Sequence, residues 1–319
     1  MTGGTFQAAA YGGPGWQPRE ATHAAEIGGI WATCGIDSEW RPLTKVLLCR
    51  PGPELAQADT DAAQFLAPLD VAQAQDEHDR IAETYRAEGV EVLLVGDAPV
   101  PTPNRMFCAD LFVMTPDGAI LARPASAVRA GEEVAVAAAL AAARVPILAT
   151  LTGKASFEGA DLLWLDETSA LIGRGLRTNR EAVAQLSMVF ARIGTLAVVV
   201  DMPFGTMHLM GMLRIADRDL AICWPRRTPH AAVEALHDRG YRVAFLPDLG
   251  EAEMATALNF VTLGPRRILM SGDNPQARAF YEGLGITVTA TSVTELRKAA
   301  GAVGCLTGIV ARARAGAAQ

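Results

Sequence analysis

The sequence predicts an α/β fold assembled from five similar modules. Three observations predict it. A helix-like stretch, then Gly or Arg, then a β-rich run occurs five times along the chain. The punctuating residues are Gly89, Arg144, Gly194, Gly240 and Gly285, at intervals of 55, 50, 46 and 45 residues. Each module also carries a second short apolar run suited to a strand. Such alternation is compatible with a doubly wound sheet and with a closed, propeller-like ring of five small modules around a channel. No G-x-G-x-x-G follows a first strand and no Walker loop is present, so nucleotide binding has no support.

In chain order the modules read YRAEGVEVLLV, LAAARVPILAT, VFARIGTLAVVV, LHDRGYRVAFLP and YEGLGITVTATS. Gly just past a helix is the favoured left-handed cap, because it has no Cβ to clash there. The Val/Ile-rich run behind it reads as a strand. The second strand candidates are KVLLCR, AILARP, SALIG, DLAIC and RRILMS. Residues 1–29 are rich in Gly and Ala and lack a basic region followed by an apolar run. They are expected to be a flexible tail and not a signal peptide, leaving residues 30–319 as one α/β domain.

With 319 residues, half of them apolar, the chain can bury a large core without help from metals or disulfides. A net charge of −7 argues against nucleic acid or an anionic membrane as partner, since both want a basic face. The longest apolar runs, such as residues 134–143, are too short to span a bilayer. The five cysteines are scattered without C-x-x-C spacing, which indicates neither a zinc site nor a disulfide framework. The expectation is a cytoplasmic protein with reduced thiols, a small-molecule substrate, no cofactor and no metal. A homodimer is expected from how often such enzymes pair.

Shortly beyond the β run of each module stands a polar residue among apolar or small ones. These are Asp110 in MFCADLFV, Glu158 in SFEGADLL, His208 in GTMHLMGM, Asn259 in TALNFVTL and Cys305 in GAVGCLTG. In a ring, equivalent loops meet at one end of the axis, so a thiol, an imidazole and two carboxylates converge there. That is a nucleophilic constellation. Taken singly, each has a plainer reading: a free cysteine is usually a small buried hydrophobe, and a lone histidine a satisfied core residue. Glu158 is suited to orienting the imidazole or holding a cation. Asp161, three residues on, is either a ligand contact or a turn cap. Asp110 needs a partner if buried, and a guanidinium would supply two parallel charge-assisted hydrogen bonds. Arg226 and Arg227, after Trp224 and Pro225, either lie near a ligand or face solvent, and solvent exposure is the expectation.

The motifs SEWRPLTKVLLCRPG, FCAD, FEGAD, MHL, ALNFV and GCLT occur in the order found in the guanidine-modifying superfamily. The sequence resembles that superfamily from about residue 38 to residue 312. It comprises arginine deiminases, dimethylarginine hydrolases, amidinotransferases and arginine dihydrolases. The resemblance implies the five-bladed α/β propeller (pentein) fold, with Cys305 as nucleophile and His208 as acid and base. It implies Glu158 and Asp110 as the carboxylates that hold histidine and substrate. Arg177 in GRGLRTN resembles an arginine near the substrate's carboxylate, Arg129 a second one on a mobile loop, and Asn259 a structural asparagine. The implied chemistry is attack on the guanidinium carbon, a thiouronium intermediate and a ureido product.

One departure stands out. In deiminases and amidinotransferases an aspartate that grips the guanidinium lies two residues after the histidine, and here that position is Met210. A thioether there removes acceptors and adds a soft apolar wall, which suits an N-alkylated guanidine. Dimethylarginine hydrolases also lack that aspartate, and Asp110 stands where arginine dihydrolases carry asparagine. The expected function is hydrolysis of an N-substituted guanidine such as methylated arginine. Amidino transfer and arginine deimination are the alternatives, and a non-catalytic binding protein is the third.

Overall fold

The computed structural model describes residues 12–13, 15–97, 102–250 and 256–314. Among them, fifteen strands form five three-stranded sheets. The first sheet holds β1 (Leu43–Leu48) and β2 (Glu91–Leu94), and the second β3 (Phe112–Thr115), β4 (Gly118–Leu121) and β5 (Ile147–Thr150). The third holds β6 (Leu162–Asp166), β7 (Ser169–Arg174) and β8 (Leu196–Asp201), and the fourth β9 (Leu213–Asp217), β10 (Leu220–Cys223) and β11 (Arg242–Phe245). The fifth holds β12 (Val261–Gly264), β13 (Arg267–Ser271) and β14 (Thr287–Thr291). The last strand, β15 (Gly308–Arg312), returns to the first sheet and pairs antiparallel with β1.

All five sheets share one plan. The central strands β1, β4, β7, β10 and β13 are the second runs picked out in the sequence. Each pairs parallel on one side with the strand that follows a helix, and antiparallel on the other. The helices Val71–Ala87, Glu132–Ala142, Arg180–Arg192, His230–His237 and Pro275–Gly283 make those parallel crossovers. The residues between helix and strand adopt the left-handed conformation. Gly89, Gly194, Gly240 and Gly285 have φ between +73° and +79°, and Arg144 has +56°. Only Arg144 carries a Cβ there, at a cost of about 1–2 kcal/mol.

Neighbouring sheets touch in sequence order, and the last touches the first. The Trp164 indole donates to the Met114 carbonyl, and the Tyr241 hydroxyl to that of Leu165. Thr262 Oγ1 donates to the Ile215 carbonyl at 2.7 Å, and Arg312 to the Thr262 carbonyl at 2.8 Å. Residues 35 and 36 then join β15 to β3, through Gly35 N to Val310 O and Ile36 N to Thr115 O. Strands β3, β4, β6 and β10 are buried almost throughout, whereas β2, β5, β8 and β11 are exposed at their ends. The apolar core therefore lies toward the inner strands.

The expected tail over residues 1–29 lies partly outside the described residues. Within them, residues His23–Glu26 form one helical turn capped by Thr22, and His23 Nε2 lies 2.7 Å from the Asp117 carbonyl. No helix among the described residues is long and apolar enough to cross a membrane.

Candidate active site

Each of the five polar residues singled out above sits just before the antiparallel strand of a sheet. Asp110 precedes β3, Glu158 β6, His208 β9, Asn259 β12 and Cys305 β15. Four stand in or immediately before a single helical turn: Cys108–Leu111, Gly159–Asp161, Leu209–Gly211 and Val303–Leu306. The repeat thus delivers one functional group per sheet to a common place.

Cys305 and His208 both line a cavity of about 280 Å³. Its walls include Met207, Met210, Met212, Trp224 and Asn259. Both residues also line a smaller space of about 30 Å³, bordered by Asp110, Arg129, Arg177, Gln64 and Asn104. Cys305 and His208 therefore stand between a mostly apolar chamber and a charged one.

His208 is buried, with Nε2 2.7 Å from Glu158 Oε2 and Nδ1 3.8 Å from Asp110 Oδ1. Burial opposes its charge, but Asp110, Glu158 and Asp161 more than offset this and lift its pKa to about 9. Glu158 is fully buried, and its oxygens accept from Ala125 N, Arg129, Arg177 and His208. Desolvation resists its ionisation, yet His208, Arg129 and Arg177 hold the carboxyl well below the usual range.

Arg129 donates to Asp110 Oδ2 at 2.7 Å, to Glu158 Oε2 at 3.2 Å and to Glu132 Oε2 at 2.9 Å. A guanidinium does sit on Asp110, as its sequence context requires, but it belongs to the protein. Asp110, Glu158 and His208 have ligand atoms within 4.8 Å of one another, the spacing of a metal site. The Arg129 guanidinium already lies on both of these carboxylates. Glu132, desolvated behind Arg129, has its pKa raised to about 7.

The RTN motif serves three separate purposes. Arg177 reaches Glu158 at 3.1 Å and Gln64 Oε1 at 2.6 Å. Thr178 donates to Asp161 Oδ2, and Asn179 caps the helix Arg180–Arg192. Asp161 is not brought to either cavity, contrary to the substrate contact expected of it. Its other oxygen accepts the Leu209 amide at 2.9 Å, so it braces the backbone beside His208.

Cys305 is gripped by Asn259, whose Nδ2 lies 2.9 Å from Sγ. Desolvation and then the charge of Asp110 push the thiol above its ordinary pKa, while Asn259 and Arg214 pull the other way. The remaining cysteines are buried, and burial raises Cys49 to about 11 and Cys223 to about 12.

Arg214 escaped the sequence reading. Arg214 lines the larger cavity and is buried, with Nε donating to the Leu258 carbonyl and its guanidinium 6.0 Å from the Phe260 ring. No carboxylate pairs with it among the described residues. A Cβ on Gly304 would come within 2.3 Å of its Nη2 and 2.7 Å of Asn259 Oδ1, so Gly304 admits both groups beside Cys305. Arg227 does not point freely into solvent as expected. It lies 5.4 Å over the Trp224 ring, donates to the Gly205 carbonyl and borders the cavity. The available signal was an arginine between apolar residues in the strand LRIAD, and an aromatic three residues before an arginine.

The profile of the family described as N,N dimethylarginine dimethylhydrolase, eukaryotic, matches residues 63–242. A dimethylarginine dimethylaminohydrolase of Streptomyces coelicolor is 28% identical over 265 residues, covering 83% of this chain and 96% of the relative. The solved dimethylarginine dimethylaminohydrolase of Pseudomonas aeruginosa, complexed with citrulline, superposes with TM-score 0.70 at 20% identity, covering 84% of this chain and 99% of that one. An amidinotransferase of Microseira wollei superposes with TM-score 0.71 at 14% identity, covering 89% and 98%.

Proposed function

We propose, from the premise that this chain belongs to the N,N-dimethylarginine dimethylhydrolase family, that it hydrolyses N-substituted guanidines such as methylated arginine through a covalent adduct on Cys305. The observation that carries the reading is the position of Cys305 and His208 between Asp110 on one side and Met210 on the other. An acid on one side and a thioether on the other suit a guanidinium that keeps N–H donors on one edge and alkyl groups on the opposite edge.

In the mechanism, the substrate's guanidinium takes over Asp110 from Arg129, which retains Glu132. Arg177 and the displaced Arg129 take the substrate's anionic end. With its cation seated, the site favours the thiolate, and Asn259 and Arg214 hold that charge. Sulfur attacks the guanidinium carbon, His208 as imidazolium protonates the substituted nitrogen, and the amine leaves. The thiouronium remains on Cys305. His208, now neutral, takes a proton from water, the hydroxide adds to the carbon, and the carbon–sulfur bond breaks to give the ureido product. Glu158 keeps the imidazole oriented throughout.

We read the five sheets as blades of one propeller, with residues 30–319 as a single domain. Their shared plan and the contact between the last and first support this. Amidino transfer and deimination have less behind them, because an aspartate is missing at Met210. The test is incubation with arginine, Nω-methylarginine and asymmetric dimethylarginine, following ureido product and released amine by mass spectrometry. Release of methylated amine, abolished in Cys305→Ser, is expected. Turnover of unsubstituted arginine alone would replace the reading with a deiminase.

A further inference from the structure

The larger cavity is oversized for methyl groups. Dimethylamine contributes three heavy atoms, whereas an apolar cavity of about 150 Å³ already holds a benzene molecule. The chamber beside Cys305 measures about 280 Å³. Its walls carry three methionines and Trp224, and no carboxylate borders it among the described residues. An arginine-like head group placed there would leave its ammonium without a counter-charge. Acceptors and cations that suit such a head, Asp110, Gln64, Arg129 and Arg177, gather at the other space. Two cations stand in the chamber wall: Arg214, buried beside the turn that bears Cys305, serves the thiolate, and Arg227 is held on the Trp224 ring and the Gly205 carbonyl. The loop that supplies Gly205, Thr206 and Met207 to the chamber also presents Phe204, fully exposed, and Met207 is itself 44% exposed. The apolar character thus runs from the chamber wall to the adjoining surface.

We propose that this chamber receives an uncharged N-substituent much larger than methyl, an aralkyl or branched alkyl group of about benzene's size or more, and that the corresponding amine is the leaving group. This rests on the hydrolase reading above. Methionine is suited to such a wall because its unbranched, polarisable side chain adapts to aromatic and aliphatic shapes alike. The net step balances: a guanidinium R′NH–C(NH₂)=NHR⁺ and one water give R′NH–CO–NH₂ and RNH₃⁺. The carbon–nitrogen bond to the substituent breaks, and His208 delivers the proton that the departing amine needs. Burying the substituent brings binding energy from a part of the substrate remote from the reacting carbon.

The test compares Nω,Nω-dimethyl-, Nω-benzyl- and Nω-carboxypropyl-arginine on the full chain, reading kcat/KM from released amine. Benzyl-arginine is expected to exceed dimethylarginine by at least about tenfold, since even one further methylene that fills an apolar pocket changes kcat/KM by about tenfold or more. Gly211 lines the chamber, and a Cβ there meets nothing within 4 Å. Gly211→Leu therefore fills the space and is expected to cut the benzyl-to-dimethyl ratio by about tenfold. Equal or better turnover of dimethylarginine would overturn the proposal and leave the hydrolase reading standing. Preference for the carboxypropyl substrate would overturn it in favour of an anionic substituent on Arg214 or Arg227. Absence of amine from all three substrates would sink both.

Discussion

Asn259 holds Cys305 at two points: its Nδ2 lies 2.9 Å from Sγ, and its Oδ1 accepts the Cys305 amide at 3.0 Å. One carboxamide thereby ties the sulfur to the backbone that carries it. Asn259→Leu keeps the volume and loses both bonds. A hydrogen bond to a charged group is worth about 1.5–3 kcal/mol, so kcat is expected to fall by about 10- to 100-fold. The pH midpoint of Cys305 alkylation by iodoacetamide should rise in parallel, and an unchanged midpoint would refute the contact's role.

Arg214 is desolvated beside the thiol, and that burial lowers its own pKa. Replacing it with methionine removes the cation but keeps an extended side chain. Alkylation of Cys305 at neutral pH is expected to slow, with its midpoint displaced upward. Overall stability should change little, because a buried charge without a carboxylate beside it contributes little to begin with. If the midpoint stays where it was, Arg214 is structural only.

His208 has a pKa of about 9 in the fold against an ordinary 6.5. The folded state therefore binds the proton more tightly than the unfolded chain. The stability this provides is fully present below pH 6.5 and lost as pH climbs through about 9. At about 1.4 kcal/mol per pH unit the loss approaches roughly 3 kcal/mol. Urea titrations at about pH 6 and about pH 9.5 should show this drop, and His208→Gln should flatten it.

Arg144 fills a left-handed position that glycine holds in the other four modules. Arg144→Gly relieves the Cβ clash but loosens the unfolded chain. The net expectation is a gain of about 0.5–1 kcal/mol by denaturant unfolding, with turnover unaffected. A loss of stability would mean that the Arg144 side chain makes contacts that outweigh its backbone strain.

What could be read in advance was local. A helix stop, a glycine and a Val/Ile run lie within about a dozen residues, and left-handed backbone is required at that point. All five punctuating residues and all five central strands follow from this. The polar residues before β3, β6, β9, β12 and β15 were visible because they interrupt small or apolar surroundings. The strands behind them were not, since no turn residue separates motif from strand. Nor was the Arg129 bond to Asp110 visible, nor that of Arg177 to Gln64. The latter pair spans 113 residues and depends on Gln64 standing at φ +62°. Arg214 resembles a blemish in a strand until the fold sets it against Gly304. The Asp161 oxygens are taken up by Thr178 and Leu209 from other loops, and the four other cysteines are buried.

The pairing of β15 with β1 has a consequence for when the protein becomes competent. The strand that fastens this segment to the first sheet begins three residues after Cys305. The histidine, its glutamate and the aspartate are all in hand long before synthesis reaches that point. The thiol arrives last, just ahead of the strand that pairs the end of the chain's described part with the first sheet. A chain that ends before β15 accordingly has His208, Glu158 and Asp110 but neither the pairing with β1 nor the thiol set beside them.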